Sequence, residues 1–213
     1  GGRVSSIGGP GRSKAPAGNA LPTGLSSVLA AQAMLPVTNR DEMRGQVGDL
    51  DRFGNPNELA ALGDTSFAAI WSATLSRLLA VPEYVAKFNA AYPGVPLSSL
   101  GFQHATNAIA AFELQSLTKT DSPLDRYLAR NDGALTPAAK RGALLFFGKA
   151  QCSSCHSGAF LGGQSFSNAG VPQLGPGVGS AAPLDIGRAA EEPQMATQYR
   201  FAFRVAPLRN VEL

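Results

Sequence analysis

Two thiols three positions apart with an imidazole directly behind them, Cys152-Ser153-Ser154-Cys155-His156, constrain this chain more tightly than any other feature of its sequence. Thiols one helical turn apart can add to the two vinyl groups of a single porphyrin while the adjacent imidazole reaches the iron. A zinc half-site would want two more Cys or His ligands, and a thioredoxin-like redox pair would want a parallel βαβ setting. The chain has no other cysteine, and its next histidine is the distant His104. The motif therefore points to covalent haem c on Cys152 and Cys155, with His156 as the iron ligand. A sixth ligand or an open position is also needed, and Met34, Met43 and Met195 are the methionines available. Spacing chooses none of them, and Met195, behind Glu191-Glu192-Pro193, reads equally well as an exposed loop residue.

The rest of the sequence sets the frame for that motif. Hydrophobic residues make up 44% and charged residues 15%, with 24 Gly and 15 Pro, which describes a globular chain rich in loops. The net charge of +3 comes from scattered residues with no basic stripe, so nucleic acid is not an expected partner. No run approaches the roughly 18 consecutive apolar residues of a membrane span. Gly1-Gly2-Arg3-Val4 lacks the marks of a signal peptide and an initiator Met, so the chain is expected to be processed or part of a longer one.

Along the chain the periodicity is helical and strands are few, which predicts a mainly α class with long Gly/Pro-rich loops. Residues 1–25, with seven Gly and three Pro, read as an extended surface loop. A short helix is expected over Ser26 to Met34, stopped by Pro36, and a polar turn over Asn39 to Met43. Ser66 can cap a helix whose Phe67, Ile70, Trp71, Leu75, Leu78 and Leu79 share a face, which makes Trp71 a core residue. Glu83 to Tyr92 forms a helix behind Pro82, and Ser98 or Ser99 opens a longer one through Phe102, Ala105, Ile109 and Phe112. His104 on that helix has no neighbour at ligand spacing and reads as structural or solvated. The chain turns at Asn131-Asp132-Gly133, and Thr136-Pro137 starts the helix leading to the motif, so a boundary near residue 134 divides 1–134 from 135–213.

The ordered set LPVTNRDEMRGQ, NAIAAFE, SPLDRYL, GALLFFGKAQCSSCHSG, Gly187-Arg188 and FRVAPLRNVEL resembles the bacterial di-haem cytochrome c peroxidase and MauG family from about Leu25 to Leu213. The resemblance implies two cytochrome c-like domains, each holding one haem: an N-terminal one where peroxide reacts and a C-terminal one that passes electrons. Cys152, Cys155 and His156 match the C-terminal haem motif. The family's peroxide pocket has a Gln, a Pro four residues on and a Glu six residues after that, a spacing that Gln32, Pro36 and Glu42 keep. Arg204 falls where the family has an arginine near the haem propionates. The first CxxCH and the inter-haem Trp are expected upstream of Gly1. The threonine and proline of an inter-haem calcium site, and a Met or Tyr sixth ligand, are expected beyond Leu213. The chain thus reads as an internal piece of such a protein.

What the resemblance implies chemically is specific. A carboxylate at Glu42 can take the proton from the near oxygen of peroxide and return it to the far one, so that water leaves as the O–O bond breaks. The Gln32 amide would hold peroxide or a pocket water, and Pro36 would shape the turn without offering a competing donor. Without the resemblance, Glu42 is an acid in a polar turn and Gln32 a helix-surface amide. The expected partners are hydrogen peroxide and an electron-donor protein such as a small cytochrome c or cupredoxin, in the periplasm; a homodimer is allowed. The competing readings are a MauG-like oxidase that modifies a partner protein, and a plain electron-transfer cytochrome, which would leave Gln32 and Glu42 without a purpose.

Overall fold

The computed structural model describes Ser5–Ser6, Ser13–Lys14 and residues 17–163, 165–177 and 181–211. It is mainly α, as the periodicity predicts, and it divides into two compact units, Gly1–Thr118 and Lys119–Leu213. The expected loop over residues 1–25 lies in large part outside the described residues. Within it Ser5–Ser6 (β1) pairs antiparallel with Ser13–Lys14 (β2).

The first unit builds a core from its own side chains. Ser27 accepts from the Ala30 N–H and starts α1, Val28–Ala33. Ala30 and Ala31 on α1 are fully buried, and their small side chains let α1 lie close against α5, Phe102–Leu117. Asn107 of α5 fixes that contact from the side: its Oδ1 accepts from the Ser26 N–H at 2.9 Å and its Nδ2 donates to the Gly24 carbonyl at 2.9 Å. After α1 come a 3-10 turn, Pro36–Thr38, and a π-helical turn, Arg40–Arg44. Next are α2 (Glu58–Ala61), capped by the Asn57 side chain, then α3 (Phe67–Leu79) and α4 (Pro82–Ala91). Ile70, Trp71 and Leu75 of α3 pack with Met34, Phe88 and Phe102, so Trp71 is a core residue as its place on the apolar stripe predicts. Its indole N–H donates to the buried Met34 carbonyl at 2.8 Å.

Two local expectations shift. Ser98 and Ser99 do not open the long helix but lie in a 3-10 turn, Leu97–Ser99. The helix begins after Gly101, because the His104 Nδ1 reaches back to the Gly101 N–H at 3.0 Å and satisfies a donor that the helix start leaves unpaired. His104 also meets the Tyr92 ring edge-on at 4.8 Å, which makes it a structural histidine. On the same helix the buried positions are Phe102, Ala105, Thr106 and Ala110, while Ile109 and Phe112 of the expected stripe are exposed.

The second unit contains α6 (Pro123–Leu128), α7 (Pro137–Phe147), a two-residue strand pair β3 (Phe166–Ser167) and β4 (Phe203–Arg204), and between them α8 (Arg188–Glu191) and α9 (Ala196–Tyr199). Thr136 caps α7 through the Ala139 N–H, as expected. The segment ahead of α7 packs within this unit. Asp125 on α6 pairs with Arg209, and the Asn210 side chain donates to the Lys119 carbonyl, so the segment from 119 onward is held to the end of the chain. Among its described residues the buried apolar side chains are small, Ala189, Ala202 and Val205, while Leu144, Leu145 and Phe147 of α7 are more than half exposed.

The Trp71–Met34 bond makes a direct test of the first unit's core. Trp71→Phe keeps an aromatic side chain, though a smaller one, and leaves the buried Met34 carbonyl without its donor, which should cost about 1–3 kcal/mol of stability in urea denaturation followed by circular dichroism. A loss under about 0.5 kcal/mol would show that this bond does not hold α1 to α3.

Candidate functional site

The chain carries two constellations, one in each unit. In the second, α7 ends at Gly148, the Ala150 N–H closes back on the Leu145 carbonyl, and Gln151 takes a left-handed φ of 55° to enter a 3-10 turn over Cys152–Ser154. The Cys155 and His156 N–H groups both fold onto the Cys152 carbonyl, at 3.3 and 2.9 Å. This one turn presents two exposed thiols that are not joined to each other.

His156 is held by backbone. Its Nδ1 lies 3.1 Å from the Ala206 carbonyl oxygen and 3.3 Å from that of Leu161. A ring nitrogen facing two carbonyl oxygens can only donate, so Nδ1 carries the hydrogen and Nε2 is left with its lone pair, the arrangement an imidazole needs to bind a metal. The approach of Ala206 depends on Gly162, which sits at φ 127° with its absent Cβ position only 2.4 Å from the Ala206 oxygen. A side chain there would push away the carbonyl that fixes the imidazole. The Gly163 N–H then donates to the Val205 carbonyl at 2.7 Å, and the Leu208 N–H to that of Phe160 at 3.2 Å. Arg209 reaches the Ala159 carbonyl at 2.9 Å as well as Asp125. The PLRN segment, Pro207 to Asn210, is thus the strut under the loop that follows His156. Two reachable thiols and an oriented Nε2 lone pair fit a covalently held haem. Arg204 is exposed on β4, its Nε donating to the Gly163 carbonyl at 3.0 Å, so its position beside the histidine loop fits pairing with a carboxylate.

The second constellation surrounds the end of α1. Gln32 is half-buried in the last turn of that helix, Pro36 opens the 3-10 turn, and Glu42 is exposed in the middle of the π-helical turn. The two turns pack on each other, so Pro36 and Glu42 stand on adjoining pieces of backbone. The π turn is closed by the Arg44 N–H on the Asn39 carbonyl and the Gly45 N–H on the Arg40 carbonyl, each at 3.0 Å.

Its flanking arginines are functional candidates that the sequence reading missed. Arg40 donates to the carbonyls of Gly45, Ala60 and Leu62 at 3.1, 3.0 and 3.2 Å and pairs with Asp64 at 2.7 Å. Arg44, fully buried, donates to the Gly63 carbonyl and pairs with the same carboxylate. The Arg40 guanidinium first, then that of Arg44, holds the Asp64 carboxyl below its ordinary range. The i, i+4 spacing of Arg40 and Arg44 was visible, but their shared partner was not.

The methionines separate by environment. Met34 is a core residue whose sulfur accepts from the Thr106 hydroxyl at 3.4 Å. Met43 is 60% exposed and Met195 lies at the end of a 3-10 turn, 38% exposed. Among the described residues no group of three His, Cys, Asp or Glu could hold a metal ion, and no helix is long and apolar enough to cross a membrane.

A helical frame with a Cys–Cys–His turn of this kind defines a cytochrome c-like haem protein. A family model described as di-haem cytochrome c peroxidase matches residues 13–133, more than half of the chain. The methylamine utilization protein MauG of Methylorubrum extorquens is 30% identical over 190 residues, covering 89% of this chain and 44% of that protein. The cytochrome c551 peroxidase of Pseudomonas aeruginosa is 39% identical over 135 residues, covering 62% of this chain and 37% of its own. The cytochrome c peroxidase Ccp of Escherichia coli is 32% identical over 159 residues, 75% of this chain and 31% of that protein. The chain belongs to the di-haem cytochrome c peroxidase family, and it spans less than half the length of these relatives.

The histidine clamp yields a test at a residue that carries no chemistry itself. Gly162→Ala should displace the Ala206 carbonyl and loosen the imidazole, lowering the haem-to-protein ratio on purification and shifting the reduction potential, since histidine orientation is a lever on both. An unchanged ratio and potential would show that Nδ1 is not what orients His156.

Proposed function

We propose that the chain is the part of a di-haem cytochrome c peroxidase that carries the peroxide-side acid–base group and the electron-transfer haem attachment. Hydrogen peroxide is the substrate, reduced to water. The supporting observation is the pair of packed turns bearing Pro36 and Glu42, behind a helix with Gln32 in its last turn, all inside the segment that the family model matches. Cys152 and Cys155 would form the thioether attachments, His156 would supply Nε2 to the iron, and Arg204 would pair with a propionate. Bound haem supplies one-electron redox chemistry. Glu42 takes the proton from one peroxide oxygen and delivers it to the other, so that the departing group is water and not hydroxide. The Gln32 amide holds the peroxide in line for that transfer, and Pro36, with no N–H, leaves the turn without a competing donor. Electrons come one at a time from a small cytochrome c or cupredoxin. The compartment is the periplasm. A second haem, with room for an inter-haem calcium, would belong to the full-length protein, for which a homodimer is an allowed assembly.

A second reading, a MauG-like oxidase acting on a partner protein, is favoured by one observation: the MauG relative aligns over 89% of the chain, against 62% and 75% for the two peroxidases. Steady-state reduction of peroxide with a reduced small cytochrome separates the two readings, because an oxidase of a partner protein should turn over slowly with that donor.

Attachment is tested by denaturation. The full-length protein should keep a covalent pigment after unfolding, and Cys152→Ala with Cys155→Ala should halve the haem that stays on the polypeptide. Pigment unchanged by both substitutions would remove the central assignment. Glu42→Gln, nearly isosteric but unable to carry the proton, should retain both haems and slow peroxide turnover by about 10²-fold. A rate within about twofold of the parent is what a solvated turn residue would give.

A further inference from the structure

The π-helical turn that carries Glu42 is a poor platform taken alone. Such turns are rare, short and bonded i to i+5, and they persist where surrounding contacts hold them. Here the contacts come from the two residues placed symmetrically about Glu42. Arg40 and Arg44 are four apart, so they fall on one side of the turn, and the residue midway between them falls on the other. Burial agrees with this geometry: Arg44 is 1% exposed and Arg40 20%, whereas Glu42 is exposed. Both guanidinium groups converge on Asp64, which lies just beyond α2, and between them they donate to four carbonyls of residues 45–63.

We propose that Asp64 is a positioning residue for peroxide chemistry: by clamping Arg40 and Arg44 on the inner side of the π turn, it fixes the outward direction of Glu42. The inference rests on the assignment of Glu42 as the acid–base group. Placement of such a group matters steeply, because an error of about 1 Å can cost about 10²-fold in rate. Removing the Asp64 charge leaves Arg44, a buried cation, without its counter-ion, so the turn must rearrange to find another. Asp64 itself is 73% exposed, which makes it replaceable without opening the core.

The experiment is a double-mutant cycle in the full-length di-haem protein, with Asp64→Asn, Glu42→Gln and both together. Asp64→Asn should lower kcat for hydrogen peroxide by about 10-fold or more with KM within about twofold. It should cause no further loss in the Glu42→Gln background. Amide hydrogen exchange should accelerate at the Arg44 and Gly45 N–H groups and stay unchanged along α3. Asp64→Glu should recover part of the loss by restoring the carboxylate. Should Asp64→Asn fail to fold, Arg40→Gln removes one arm of the clamp and carries the same expectations. Equal losses in both backgrounds, or unchanged exchange at Arg44 and Gly45, would overturn the positioning role. A Glu42→Gln enzyme as fast as the parent would instead overturn the assignment of Glu42, and the positioning role with it. The two failures therefore appear in different arms of the cycle.

Discussion

The carbonyl of Met34 ends α1 inside the core, where no water can reach it, and the Trp71 indole supplies the donor it requires. A helix end buried without a partner would be costly. With this bond made, α1 stops at a fixed height on α3, and everything that follows it is laid out from that point. Pro36 begins the next turn two residues on, and the π turn packs on it. The other side of α1 is set by its own small residues, since Ala30 and Ala31 can approach α5 only because they have so little side chain. Asn107 then closes the angle between them with two hydrogen bonds to the segment leading into α1. Pro36 and Glu42 stand on short irregular turns, yet those turns hang from the best-packed part of the unit.

The second unit solves a different problem. It buries small apolar residues and spends its hydrogen bonds on a loop, Ser157 to Gly163, whose backbone is tied to residues 205–209 at several points. The result is that His156 is oriented by main-chain carbonyls and not by another side chain. A carbonyl oxygen can only accept, so it places the ring hydrogen on Nδ1. The cost is that the carbonyl must be brought within hydrogen-bonding reach of the ring, which requires a residue without a Cβ at position 162.

How much of this was legible in the sequence follows from how far apart the interacting residues lie. The Cys152–His156 turn is contiguous, so its spacing alone suggests a chemistry. Trp71 could be placed in the core because its stripe is local, as could the Thr136 cap. The clamp on His156 could not, because its acceptor is the main chain of Ala206, 50 residues away, and a backbone atom leaves no residue-type signature. Asp64 is 24 residues from Arg40 and reads as one more surface acid until the fold brings them together. The beginning of α5 departs from the local signal for the opposite reason. Ser98 and Ser99 are good caps by type, but His104 supplies the bond from inside the helix and leaves the serines in the turn before it. Arg209 and Asp125 meet across 84 residues, a contact that no local punctuation announces.

The two constellations share one physical arrangement, though they are built from different chemistry. In each, the group meant to react projects outward, and the forces that aim it act on its inner side. His156 offers Nε2 because Nδ1 is committed to carbonyl oxygens. Glu42 faces out because its neighbours two residues either way are committed to Asp64 and to carbonyls beneath the turn. The arrangement has a reason. A reactive group aimed from behind is held in direction by contacts other than any it must exchange for its substrate. That is why the residues supporting each site, Gly162 in one and Asp64 with its two arginines in the other, carry no chemistry of their own and still determine whether the chemistry is in place.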